Sequence, residues 1–231
     1  MSVEGGPDIV TNGLVLYLDA ANNRSIVSGS TTWFDLSRNG NTGSLINGPT
    51  YSSANGGVLS FDGTNDYVSV TNSANYNPST ALAVELWYNS TTTPSGLFYT
   101  YCLVSSQQSV APFNGIDIRG SSATTLNFAI AISSAETFVS LGTITANQWT
   151  CVAVTYNGSA LNGYRNGVLV QSTSKSGTIN STNKDLWIGN NPSFSPRYYS
   201  GQMSALKIYN RALSPTEIRQ NYHATKGRYG L

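Results

Sequence analysis

Charge is what this chain has least of. Charged side chains make up 10% of its 231 residues, against roughly 25% in an ordinary soluble protein. Twelve Lys and Arg against eleven Asp and Glu leave a net charge of +1, so there is no electrostatic case for a nucleic acid or an anionic membrane as partner. No apolar run approaches the roughly 20 residues that a membrane-spanning helix needs. There are two cysteines, Cys102 and Cys151, too few for a disulfide scaffold. Both sit in apolar strand patterns and read as small buried hydrophobes; a disulfide between them would need Cα atoms within about 7 Å. The one histidine, His223, has no Ser/Asp arrangement near it in sequence and reads as a surface residue of a helix. Metal-binding and phosphate-binding spacings of the CxxC, HExxH, P-loop and GxGxxG kinds do not occur. The opening MSVEGGPDIV has no basic segment followed by an apolar core, so synthesis in the cytoplasm without a secretory signal is the expectation.

What is present is alternation. Leu82, Val84, Leu86 and Tyr88 share one face of a strand, with Ala83, Glu85 and Trp87 on the other. The stretch from Trp149 to Tyr156 carries bulk on both faces and predicts a strand buried on both sides. Asn166-Gly167 follows a second strand and is a strong hairpin signal, because a type I′ turn needs positive φ at both central residues. Further strands are predicted at Leu14–Ala20, Gly57–Asp62, Asp66–Thr71, Tyr99–Ser105, Phe113–Arg119, Leu126–Ile132, Thr137–Leu141, Asp185–Gly189 and Gly201–Asn210. Ser90 to Gly96, with Pro94, reads as a polar turn. One helix is expected within Arg211–Tyr222: Ser214 at the N-cap, Pro215 at the first position and Glu217 at the third form a capping box. The domain division is an irregular arm at 1–12, able to be disordered or to bind a neighbouring subunit, and one domain at 13–231. The fold class is all-β: a two-sheet antiparallel sandwich with one short C-terminal helix.

Several motifs carry a resemblance. Phe61-Asp62-Gly63-Thr64-Asn65-Asp66-Tyr67-Val68, the strand ending Glu85-Leu86-Trp87, the Tyr164-Arg165-Asn166-Gly167 hairpin and the closing Ile208-Tyr209-Asn210-Arg211-Ala212-Leu213-Ser214 resemble, in order, the signatures of laminin-G-like, or concanavalin A-like, jelly-roll domains. The resemblance implies a jelly roll whose first and last strands pair. It also raises three kinds of chemistry. Some relatives are glycoside hydrolases and need two carboxylates flanking one bond. Here Glu85 stands alone on its strand and Glu136 has no acidic sequence neighbour, so no catalytic residue is assigned and an enzyme is not expected. Many relatives bind calcium at the sandwich rim. Asp62 and Asp66 are the candidate ligands, but Ser204-Ala205 occupies positions where relatives often carry Asp-Glu, and turn capping is the favoured reading of both aspartates. Relatives also bind glycans through loop aromatics, for which Trp33, Tyr198 and Tyr199 are the candidates.

The ending Asn221-Tyr222-His223-Ala224-Thr225-Lys226-Gly227-Arg228-Tyr229-Gly230-Leu231 looks like the tails of such domains in tailed-phage structural proteins. That resemblance implies a non-enzymatic virion subunit (capsid decoration, fibre or appendage) on the particle exterior. Its partners would be other virion proteins such as the capsid shell and further copies of itself. The alternative is an adhesion module recognising glycans on a host surface.

Overall fold

The computed structural model describes residues 7–91, 101–108, 113–120, 124–194 and 196–231. The turn expected around Pro94, the first residues of the expected Tyr99–Ser105 strand and the first six residues of the arm lie outside these. In chain order the described strands are β1 (Leu14–Asp19), β2 (Thr32–Trp33), β3 (Gly43–Ile46), β4 (Thr50–Ser52), β5 (Val58–Asp62), β6 (Tyr67–Val70), β7 (Leu82–Ser90) and β8 (Cys102–Ser105). They continue with β9 (Ile116–Gly120), β10 (Thr125–Ile132), β11 (Ala135–Thr143), β12 (Thr150–Tyr156), β13 (Ala160–Arg165), β14 (Val168–Ser174), β15 (Leu186–Ile188) and β16 (Ser200–Tyr209). A helix, α1 (Pro215–Thr225), and a 3-10 turn at Lys226–Tyr229 follow.

The strands form two antiparallel sheets. Sheet A runs β14-β13-β12-β7-β16-β5-β4, and sheet B runs β11-β10-β9-β8-β15-β6-β3-β2. The first and last strands pair, as the jelly-roll resemblance implies: β1 lies along the C-terminal half of β16, with Tyr17 opposite Lys207, while β5 takes the N-terminal half. The alternation in sequence decides which side chains face inward. Val84, Leu86, Val152 and Val154 from sheet A meet Phe128, Ile130, Ile118 and Val68 from sheet B in one apolar core.

The other face of sheet A is covered by the chain's own end. Ser214 accepts a hydrogen bond from the Glu217 backbone N–H, and the Glu217 carboxylate accepts from the Ser214 N–H, completing the predicted capping box. The helix lays Leu213 and Ile218 against Ala83, Ala153 and Tyr164. Beyond it, Tyr229 stacks on Trp87 at 4.1 Å and on Trp149 at 4.6 Å. Both faces of β12 are therefore buried, as its sequence predicted. Part of the N-terminal arm joins this layer: Val10 N–H donates to Asn221 Oδ1, and Gln220 Nε2 donates to the Asp8 carbonyl.

Cys102 lies in sheet B and Cys151 in sheet A, both as free buried thiols. None of the helices among the described residues is long and apolar enough to cross a membrane.

Candidate functional site

On the outer face of sheet B the polar residues are concentrated. In β9, Ile116 and Ile118 point into the core, so period-two alternation turns Asp117 and Arg119 outward. Across the sheet, Asp117 pairs with Ser105 of β8 and Ala129 of β10, and Ala129 pairs with Phe138 of β11. The small residues Ala129 and Ala131 on this face of β10 are covered.

Arg119 is the hub of this face. Its Nη1 donates to Asp117 Oδ2 and Gln107 Oε1, each at 2.8 Å, and its Nη2 donates to Glu136 Oε1 at 3.0 Å. Gln107 Nε2 also donates to Glu136 Oε1. The guanidinium carbon sits 5.2 Å from the centre of the Phe138 ring, within cation–π range. Burying a guanidinium is tolerable only with such charge-assisted partners.

Two adjacent asparagines build the loop above the hub. Asn191 Oδ1 accepts from the N–H groups of Ser193 and Phe194, while its Nδ2 donates to Ser105 Oγ and Asp117 Oδ2. Asn190 Oδ1 accepts from the Arg197 N–H. These bonds hold Phe194 and Arg197 over the sheet, with the Arg197 guanidinium 4.3 Å from the Phe194 ring centre. Gln107, Phe113, Arg119, Glu136, Phe194 and Arg197 line a small recess of about 120 Å³. Further along the same face, Tyr67 and Trp187 form a half-buried aromatic pair with ring centres 4.3 Å apart.

Two carboxylates thus converge on one guanidinium, which sequence neighbours alone do not reveal. Their geometry is that of arginine positioning. Asp117 has no exposed surface, and both of its oxygens are engaged, Oδ1 by the Cys102 thiol and Oδ2 by Arg119 and Asn191. Burial pushes its carboxyl above the usual range, against the opposing pull of Arg119. A general acid must reach the proton acceptor of a bound substrate, and Asp117 presents no oxygen to one. Burial, with the Asp117 charge added, pushes the Cys102 thiol well up, so it remains an unreactive donor.

The residues singled out from sequence are placed differently. Trp33 and Tyr199 have no exposed surface; both belong to the core between the sheets. Tyr199 packs edge-on against Phe61 and Tyr101. Neither ring offers a face to a ligand, which corrects the expectation for those two. Trp33 sits in the two-residue strand β2, too short for its alternation to be readable. Tyr198 is half-buried in the segment after Arg197.

Asp62 and Asp66 act within their own turn. Asp62 Oδ1 accepts from the N–H groups of Thr64 and Asn65, and Asp66 Oδ2 accepts from the Asp62 N–H. The Thr64 hydrogen bond heads the causes holding the Asp62 carboxyl below its usual range, while burial pushes Asp66 up. Calcium takes six to eight oxygen ligands. Among the described residues no group of three or more His, Cys, Asp or Glu converges, Ser204 instead donates to the Gly57 carbonyl, and Ala205 packs with Trp87. The residues present do not fit a calcium cage. Asp35 is likewise a loop cap, accepting from the N–H groups of Tyr17, Ser37 and Asn41.

Gln107, Arg119, Asn191 and Trp187 are not singled out from sequence; Phe194 is legible there only as one loop aromatic among several, and Glu136 only as a carboxylate without an acidic neighbour. One signal was available: Asp117 and Arg119 are charged residues two apart within the apolar run of β9, hence on one face.

An antiparallel two-sheet sandwich with a polar outer face and a capped terminal helix defines a lectin-type jelly roll. Residues 62–219, more than half the chain, match the model of the concanavalin A-like lectin/glucanases superfamily, and the chain belongs to that superfamily. No curated protein matches the sequence. Solved structures share the fold. The botulinum neurotoxin serotype G binding domain aligns at 16% identity and TM-score 0.69, covering 90% of this chain and 50% of that one. Domain 4 of AbnA, a GH43 extracellular arabinanase from Geobacillus stearothermophilus in complex with arabinotriose, aligns at 18% identity and TM-score 0.66, covering 90% of this chain and 98% of that one. Trypanosoma rangeli sialidase in complex with sialic acid aligns at 13% identity and TM-score 0.68, covering 94% and 33%. The chain thus spans about half of the toxin domain, a third of the sialidase and nearly all of the arabinanase domain.

Proposed function

We propose that the chain is a non-enzymatic glycan-binding module and that the outer face of sheet B is its binding surface. The observation that carries this reading is the half-buried Phe194–Arg197 stack, held by Asn190 and Asn191 over the buried Arg119 hub with Phe113 beside it. Planar polar groups beside aromatic carbon suit a saccharide, whose hydroxyls need fixed partners and whose C–H faces need apolar cover. Two guanidiniums, Arg119 and Arg197, stand against two carboxylates, Asp117 and Glu136, so the face is charge-balanced and suits an uncharged sugar over a sialylated one. That domain 4 of AbnA was solved with arabinotriose supports a fold of this size serving as a sugar-binding module.

A glycan array probed with the intact protein tests this. Neutral glycans are expected to bind, with Phe194→Ala and Arg197→Gln each weakening binding about tenfold or more, the loss of a good polar or stacking contact. An array with no hit, or binding indifferent to both changes in folded protein, overturns the reading.

A second reading places this module on the exterior of a tailed-phage particle as a decoration, fibre or appendage subunit, with the capsid shell and further copies of itself as partners. Its support is the resemblance of residues 221–231 to the tails of such subunits. Antibody labelling of intact particles tests it: labelled exteriors support the reading, and particles that neither carry the protein nor lose host attachment without it refute it.

A further inference from the structure

On sheet A, at the opposite layer from Arg119, three polar side chains stand directly abreast on the outer face. Gln202 of β16 is paired with Asn89 of β7 on one side and with Ser60 of β5 on the other. Together with Thr91, Asn147 and Gly201 they line a recess of about 260 Å³. A single water occupies about 30 Å³ of liquid, so the recess has room for a small organic molecule.

The Asn89 Oδ1 atom is buried here and accepts no hydrogen bond. An unmet buried carbonyl costs about 1–3 kcal/mol, and such atoms are rare enough in folded proteins to call for an explanation. The neighbours do not relieve it. Gln202 Nε2 turns instead toward Ser60 Oγ, at 3.5 Å. The Thr91 hydroxyl is used against Ser200. Asn147 is held beside the recess through its backbone, its N–H donating to the Ser90 carbonyl.

We infer that this recess is a second binding site, distinct from the sheet-B face, for an uncharged polyhydroxylated ligand of monosaccharide size. The reasoning is chemical. Asn89 needs a donor, and amides and hydroxyls offer both donors and acceptors, as a row of sugar hydroxyls does. The bare backbone at Gly201 leaves an uncharged floor against which C–H groups can lie. Among the described residues no Lys, Arg, Asp or Glu lines the recess, so its described lining does not select a charged ligand. Gly201 is required for the shape: a Cβ there would lie 2.4 Å from the Asn89 carbonyl oxygen, at a φ of +149°.

Titration of the isotope-labelled intact chain with D-glucose, D-galactose, D-mannose and L-arabinose, followed through side-chain amide NMR signals, tests the site. At least one sugar is expected to shift the Asn89 and Gln202 amide signals saturably, with a dissociation constant on the order of 1–10 mM for so small a ligand. Asn89→Leu and Gln202→Met are each expected to weaken that response about tenfold, the NMR spectrum itself reporting whether the variant is folded. No saturable shift at these amides with any of the four sugars overturns the inference. So do shifts that survive both substitutions, or equal shifts at exposed amides such as Asn47. Shifts confined to Gln107 and Arg119 overturn this site while supporting the sheet-B face, so the two readings fail separately.

Discussion

Lys207 Nζ lies 2.6 Å from Glu85 Oε1, on neighbouring strands of sheet A, and both side chains are almost wholly buried under the C-terminal tail. The pair belongs to a longer polar seam. The Lys207 ammonium sits 5.6 Å from the Tyr17 ring centre, Tyr17 Oη donates to Asp19 Oδ2, and Arg228 from the tail donates to both Asp19 oxygens. Burial pulls the Lys207 ammonium down, but the Glu85 carboxylate beside it prevails, so its pKa lies above the usual lysine value. Removing one partner leaves the other charged and buried. Lys207→Met and Glu85→Gln are each expected to cost about 3–5 kcal/mol. The double change Glu85→Leu with Lys207→Met should cost far less than their sum. Urea unfolding of the four proteins checks this; additive losses would refute it.

The tail is expected to be a working part of the sandwich. Tyr229 lies against Trp87 and Trp149, and Trp87 Nε1 donates to Thr225 Oγ1. Tyr229→Ala should destabilise the domain by about 2–4 kcal/mol, as the loss of a stacked, mostly covered ring does. Tryptophan emission should shift to the red in the folded state as Trp87 and Trp149 meet water.

Stability should fall in acid through one identifiable pair. Glu217 is held by Arg211, at 2.6 Å, and by the N-cap of α1, which lowers its pKa from 4.5 to about 2. A carboxylate depressed in the folded state contributes stability above the unfolded value and loses it as pH falls through the folded one. The contribution is therefore present above pH 4.5 and fades between 4.5 and about 2. Both partners are partly exposed, so salt screens the pair and about 1 kcal/mol is expected. Unfolding free energies of wild type and Glu217→Gln should differ by about that much at pH 7 and converge in this window.

Gly163 sets how closely the sheets approach at one edge. A Cβ at this position of β13 would lie 2.5 Å from the Ser140 carbonyl of β11, in the other sheet. Nearby, Gln171 Oε1 of β14 accepts from the Ser140 N–H, and Thr173 donates to the Phe138 carbonyl. Gly163→Ala should cost about 2 kcal/mol or more through forced backbone movement, read as a lowered midpoint in thermal unfolding. An unchanged midpoint would show that the edge can open freely.

The parts of the molecule that repeat a local rule were legible in the sequence. The two faces of β7 and β12 follow from alternation, and the start of α1 follows from Ser214, Pro215 and Glu217, because each rule acts within a few residues. Strands β2 and β4 are too short to show a period and passed as loop, which is how Trp33 came to be read as a loop aromatic. The C-terminal motif was visible as a pattern, but nothing local says that Arg228 meets Asp19, 209 residues earlier.

The sequence by itself determined the sandwich: its alternation fixes which side chains must leave water, and burial of those faces is the dominant force in folding. It also determined the low net charge of +1 and the capped helix. Only the tertiary structure decided the candidate sites. Arg119 draws Gln107 from just beyond β8 and Glu136 from β11, and Asp117 meets Asn191 from 74 residues away. Asn89, Gln202 and Ser60 come abreast only through the register of β7, β16 and β5. Hydrogen bonds act over about 3 Å of space, and no local pattern records which distant strands will bring their polar faces within that reach.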